Sequence, residues 1–359
     1  MIDFRYHLVS IVAVFLALAI GIVLGSTELQ GAVLAGLRKT SDSLNSQLSA
    51  AQAERDAYAA QAGAADSFLQ ASESLLLGNG RLLAGDKLVL VTEPGAPSPL
   101  ISGLKATAAD AGATVTGQVT LQPEFNDLSG ATEATLSAIN GSVAATNSDT
   151  LDQSTDPQTT DQQDAAQLIA TAILQKQGSQ QGQQNQRSQQ NQPSPAGLSQ
   201  ASAQTLLNAY AQAGFITVTG SPTNRANLVI IVAPGSVPAD GASDPSNPVL
   251  VAVAREFAGA GAVAVIAGAT TPSSQAGSAI SVVRSSSVSS LVSTVDNADT
   301  TQGQITVMQA IATQLAGGQP SSYGVSGATS VSPAPAPTAP PTPTTSATPT
   351  GQPTSTGKR

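Results

Sequence analysis

The sequence predicts a single-span N-terminal transmembrane helix, a coiled-coil helix, and an α/β domain built on a Rossmann-like open sheet with a disordered insert and tail. Three observations carry that reading. Residues 8–27, LVSIVAVFLALAIGIVLGST, carry no charge and are almost wholly aliphatic. From Leu34 to Leu76 the apolar residues recur on a heptad. Beyond Asp86, short apolar runs alternate with helical stretches. The 359 residues divide accordingly into an anchor (1–30), a stalk (31–80), a first part of the α/β domain (86–140), a low-complexity insert with one helix (141–200), a second part of the domain (201–328) and a Pro/Thr tail (329–359).

As a helix, residues 8–27 span about 30 Å, the hydrocarbon thickness of a bilayer. The alternative is a cleaved signal peptide, whose apolar core is usually shorter. Against it, the basic residues ahead of the run are only Arg5 and the terminal amine, offset by Asp3, and no small-residue cleavage site follows. The expected topology is single-pass, with the bulk of the chain on the extracytoplasmic side. Gly21 and Gly25 share one helix face, the small-xxx-small spacing that lets two membrane helices approach closely.

Taking Leu34 as position a, the seam reads Leu34, Leu37, Ser41, Leu44, Leu48, Ala51, Arg55, Tyr58, Ala62, Ala65, Leu69, Ser72 and Leu76. All but Ser41, Arg55 and Ser72 are apolar, and the positions between are largely polar, the signature of a coiled coil. The alternative is an amphipathic helix folded against the downstream domain. Gly78-Asn79-Gly80 supplies the left-handed conformations that stop a helix.

LVLVT (88–92) is a continuous apolar run, as a strand buried on both faces requires. A helix follows around Pro99–Ala111, then strands at 113–121, 215–220, 228–234 and 262–268, with helices at 201–213 and 249–258. Such alternation predicts right-handed crossovers, and ligands of such sheets bind beyond the strands' carboxyl ends, here Thr92–Pro97, Ala233–Val237 and Gly268–Ser273. Residues 141–163 and the Gln-rich 177–200 bury too little apolar surface to order and read as flexible loops flanking a helix at Asp164–Gln175. From Ser332 onward, Pro alternates with Thr, Ser and Ala, an extended polyproline-like composition.

A net charge of −9 argues against nucleic acid as a partner, and the absence of cysteine excludes disulfides and thiolate metal sites. The turn after the first strand, EPGAPSP, lacks the glycine pattern of dinucleotide binding, and GAGAVAVIAG leads into a strand rather than out of one. The sole histidine, His7, lies beside the apolar run, so one chain holds no Ser-His-Asp arrangement or histidine metal site. VDNAD (295–299) brings Asp296 and Asp299 near each other, either as cation ligands or as an exposed turn capping a helix that starts near Gly303. With His7, these are the weak candidates for metal ligation. The sequence predicts no enzyme and no tightly bound cofactor.

The opening MIDFRYHLVSIVAVFLALAIGIVLGSTEL resembles the N-terminus of the mycobacterial copper transport protein B (MctB) family of actinobacterial envelope proteins. STVDNADTTQGQITVMQAIATQLAGGQPSSYGVSGA (293–328) resembles that family's C-terminal block, and QPEF (122–125) and GFIT (214–217) resemble further segments. Positions that match the motifs are Arg5, Tyr6, His7, Gly21, Gly25, Asp296, Asp299, Gly303, Gly317, Gly318, Tyr323 and Gly324. The resemblance implies a role in copper homeostasis, as copper efflux through the cell envelope with copper the transported ion. Cu(I) prefers Cys, Met and His, and this chain offers no Cys, one His and two Met, Met1 and Met308. Met308 lies in an apolar helix and reads as core. No β-barrel alternation is present. The expected partners are the membrane, further copies of the chain joined through the transmembrane and coiled-coil helices, and envelope proteins. The architecture alone also fits a non-catalytic coiled-coil scaffold of the envelope or division machinery, or a sheet-edge domain binding a small ligand.

Overall fold

The structure, a computed structural model, describes residues 4–127, 129–144, 160–174, 198–235, 244, 246–270, 275 and 277–333. The chain forms two units, residues 1–68 and 69–359.

The described residues of the first unit are all helical. Helix α1 (Phe4–Leu76) is one element of 73 residues, continuous from the apolar run through the heptads. Its segment Arg5–Gly25 has a mean hydropathy of 2.9 over 21 residues, long and apolar enough to cross a bilayer. Along the heptad seam Leu34, Leu37, Leu44, Leu48 and Tyr58 are each more than half exposed in the single chain. The helix stops as expected, because Gly78, Asn79 and Gly80 all take positive φ (66°, 53° and 74°), a run that no helix can continue.

In the second unit, β1 (Lys87–Thr92), β2 (Thr114–Leu121), β3 (Ile216–Gly220), β4 (Leu228–Val232), β5 (Val263–Ala267), β6 (Ser293–Val295) and β7 (Ser322–Tyr323) form one sheet in the order β3-β2-β1-β4-β5-β6-β7. Neighbours pair in parallel except β3, which runs antiparallel to β2 at the edge. The open sheet is therefore mixed. The chain travels outward from β1 to β2 and β3, then returns past β1 to lay down β4 and continue the other way. That reversal falls between β1 and β4.

Side chains alternate across the sheet with period two. Leu88, Leu90, Ile230 and Val265 face one side, where α2 (Ser98–Asp110) and α8 (Thr301–Leu315) cover them together with Leu77 and Leu83. Val89, Val91, Val229, Ile231 and Ile266 face the other. There the cover comes from α3 (Gly130–Ala144), α4 (Thr160–Ile173), α5 (Gln200–Gln212), α6 (Asn247–Gly259) and α7 (Ala279–Ser285). Within that layer α4 touches α3, α5 and α6.

The five expected strands, β1 to β5, fall within two residues of their expected positions, β6 and β7 were not expected, and two further expectations are corrected. Residues 141–163 are not all loop: α3 runs to Ala144 and α4 starts at Thr160. Polar composition hid the reason, which is that α4 presents Ala165, Leu168, Ile169, Ala172 and Ile173 on a face with no solvent left to it. Likewise the stretch expected to be loop as far as 200 ends with Leu198 buried and Ser199 capping α5, its hydroxyl accepting from the Ser202 amide. Residues 145–159, 175–197 and the tail over 334–359 lie outside the described residues. The first residues allotted to the tail belong to the sheet, since the Thr329 amide donates to the Ser322 carbonyl at 3.0 Å. The burial of α4 yields a prediction. Leu168→Ala should cost about 2–5 kcal/mol by the cavity it leaves, read as a lower denaturant midpoint. A surface-like loss below about 0.5 kcal/mol would show that α4 is not core.

Candidate functional site

The strand order reverses between β1 and β4, and the region beyond the strands' carboxyl ends at such a reversal is where open α/β sheets bind ligands. Glu93 occupies it, one residue past β1, and its amide donates to the Val232 carbonyl of β4 at 3.0 Å. The side chain is buried at 1% exposure. Asn126, in the turn after β2, donates its Nδ2 to Glu93 Oε2 at 3.1 Å. Among the described residues, Glu93 Oε1 and Asn126 Oδ1 are buried without a hydrogen-bond partner. Among the described residues, Asn247 at the start of α6 and Asn297 after β6 also each bury an unpartnered Oδ1. The neighbouring turns approach closely, with the Gly235 amide donating to the Gly95 carbonyl at 3.0 Å. A Cβ on Gly235 would stand 2.7 Å from Pro97 Cγ, so glycine is required there.

Burial pushes the Glu93 carboxyl up to about 7, with the Asn126 hydrogen bond opposing and the charge of Asp244 adding to the rise. Near neutral pH this acid is divided between a hydrogen-bond donor and an anion. Such a group suits ligand recognition or proton exchange, but its one recorded side-chain partner is an amide. The sequence pointed to this edge by the strand ends, yet missed Glu93 and Asn126. The signal was an acid placed directly behind a buried apolar strand.

The residues singled out in the C-terminal block come together, but as structure. Asp296 is fully buried. Its Oδ1 accepts from the Val325 amide at 2.7 Å, and its Oδ2 from the Ser326 amide at 3.0 Å and Arg284 Nη1 at 2.9 Å. Arg284 also donates to Thr294 Oγ1 (2.9 Å) and the Tyr323 carbonyl (2.8 Å), tying α7 to β6 and β7. Gly324 must lack a side chain, because a Cβ would stand 2.0 Å from Asp296 Oδ1. Burial raises the Tyr323 hydroxyl's pKa. Gly303 packs against the Asn297 carbonyl, where a Cβ would come within 1.9 Å. Gly317 (φ 87°) and Gly318 end α8, the Gly318 amide donating to the Thr313 carbonyl at 2.9 Å.

The expected capping turn is corrected here. Asp296 is not exposed, and α8 is capped by Thr300, whose hydroxyl accepts from the Gly303 amide at 3.1 Å. Asp299 instead holds the Thr270 amide and hydroxyl at 2.9 and 2.7 Å. Arg5, Tyr6 and His7 lie exposed at the start of α1, in the other unit. Gly21 and Gly25 have nothing within 4 Å of where a Cβ would stand. Met308 is fully buried in the core. Among the described residues, no group of three or more His, Cys, Asp or Glu could hold a metal ion.

Glu93 gives a pH prediction. Its pKa is raised on folding, so its contribution is complete below the ordinary value of 4.5 and is lost as pH rises through about 7. The loss amounts to about 3 kcal/mol, from 1.36 kcal/mol per pH unit. Glu93→Gln, which mimics the neutral acid, should therefore gain stability relative to the parent between pH 5 and 8.5 in denaturant titrations. Parallel pH profiles for the two proteins would exclude this.

Comparison with known proteins agrees over nearly the whole length. The family model described as "Copper transport outer membrane protein, MctB" matches residues 1–333. A protein named copper transporter MctB from Mycobacterium tuberculosis is 30% identical over 338 residues, covering 92% of this chain and 99% of the relative. The protein of that name from Mycobacterium leprae is 30% identical over 344 residues with the same coverage. The chain belongs to the MctB family.

Proposed function

We propose that this protein is a membrane-anchored, non-catalytic component of copper homeostasis that contributes to copper efflux and tolerance, with copper as cargo rather than as a resident cofactor. The match of residues 1–333 to a copper transport family carries the proposal. The apolar segment Arg5–Gly25 serves as the anchor, and the remainder of the chain lies on the extracytoplasmic side. One helix encloses no path for an ion. Copper must therefore cross where several copies, or this chain and other envelope proteins, come together. The exposed heptad residues from Leu34 to Tyr58 and the open face of Gly21 and Gly25 supply surfaces for such assembly.

Loss of the gene should raise cellular copper and copper sensitivity, both reversed by the intact chain. Unchanged copper content and growth, together with loss of specific protein partners from crosslinked membranes, would instead establish the scaffold role. Self-association has its own test, made simple by a chain without cysteine. Leu44→Cys at the seam should form disulfide-linked dimers in membranes under mild oxidation, and Ser46→Cys on the outer face should not. Equal crosslinking at both positions would remove the coiled coil.

A further inference from the structure

We propose that the amino-terminal edge of the sheet, opposite Glu93, binds a phosphate group in the cavity lined by Lys87, Gln200, Thr223, Asn224 and Arg225. The proposal is independent of the copper reading. The cavity measures about 470 Å³, within the range of roughly 300–1,000 Å³ for small-molecule sites. Among the described residues, its lining offers an ammonium, a guanidinium, two amides and a hydroxyl, and no carboxylate. That is unusual in a chain with 23 acidic and 14 basic side chains.

Both cations retain donors. Lys87 Nζ reaches the Asn224 carbonyl at 3.3 Å, and Arg225 Nη2 donates to the Leu198 carbonyl. An ammonium carries three N–H groups and a guanidinium five, so most remain for a ligand. Among the described residues neither cation pairs with a carboxylate. Asp86, adjacent to Lys87 in sequence, accepts from Asn227 Nδ2 at 2.7 Å.

The two cationic residues are also held in place. Asn227 accepts from the Lys87 amide through Oδ1 at 2.8 Å and donates its own amide to the Lys87 carbonyl at 3.0 Å. Ala226 is fixed by its amide, which donates to the Ile173 carbonyl at 2.8 Å. Arg225 sits between these anchors and the turn Pro222–Asn224, with φ 49° and ψ 96°. Among the described residues, the other non-glycine residue with positive φ is Asn79, a type that tolerates it. Glycine would relieve the strain at Arg225. The strained position sets a long cationic side chain beside the cavity, where its remaining N–H groups can meet a ligand. A guanidinium grips phosphate oxygens in pairs while an ammonium acts as a point charge, and the two together match a phosphate. The volume leaves room for an attached organic group, whether of a soluble phosphomonoester or of a phospholipid headgroup.

The test uses the full chain in detergent, with thermal unfolding and calorimetry during titration with inorganic phosphate at ionic strength fixed by chloride. The parent's midpoint should rise with phosphate concentration, and binding by Lys87→Gln and Arg225→Gly should be weaker by about tenfold or more. Arg225→Gly should hold or raise the ligand-free midpoint, since it removes the positive-φ strain. A purely structural arginine predicts a lower one. Glycerophosphoglycerol, a diester headgroup, competing better than glycerol 3-phosphate assigns the ligand to lipid, and the reverse order assigns it to a soluble monoester. A parent that does not respond, or equal responses in all three proteins as general salt effects give, overturns the site.

Discussion

The strands β1, β4 and β5 lie in the middle of the sheet, so their amides leave water with partners on both sides. Their side chains point alternately to two faces, and each face carries large aliphatic groups: Leu88, Leu90 and Ile230 on one, Val89, Val91 and Ile231 on the other. Cover is therefore obligatory on both faces. One face needs only α2, α8 and the segment around Leu77 and Leu83. The other needs five helices, including α4, which the polar sequence around it disguises. The order of strands follows from the same demand, because the return past β1 lets helices reach both faces.

Much of this could be read from the residues alone. LVLVT, LVIIVAP and AVAVIAG are apolar without interruption, and only a strand buried on both faces tolerates that. The stop at Gly78-Asn79-Gly80 was equally plain. β6 and β7 were not legible, since Ser293–Val295 and Ser322–Tyr323 are too short and too polar to carry a period. Their cohesion comes from elsewhere. Ser293 Oγ accepts from the Gln314 amide side chain at 2.9 Å and the Ser321 amide at 3.1 Å, contacts between distant parts of the chain. Glu93 and Arg284 escaped for the same reason: Asn126 lies 33 residues beyond Glu93, and Arg284 draws together three elements.

The C-terminal family block takes a different meaning from its geometry. Acidic residues at close spacing invite a reading as cation ligands. Here the Asp296 oxygens are occupied by two amides and a guanidinium, and the glycine opposite them leaves no room for more. A buried ion pair contributes little net stability compared with apolar packing, but losing one partner strands the other charge. That asymmetry accounts for Asp296 and Gly324 occurring together: the carboxylate needs Arg284 and two amides, and the glycine leaves it room. The motif marks the closing of the sheet.

Once that block is assigned to structure, the chemically open groups fall at the two ends of the sheet and differ in kind. Among the described residues, Glu93, Asn126, Asn247 and Asn297 leave buried oxygens without donors at the carboxyl edge. At the amino edge, Lys87 and Arg225 pair with no carboxylate among the described residues. Neither set is soft, so neither suits Cu(I) as a resident ligand. Met308, a soft donor within the described residues, is sealed in the core. A copper role for such a chain cannot rest on a preformed thiolate or thioether site in the α/β unit.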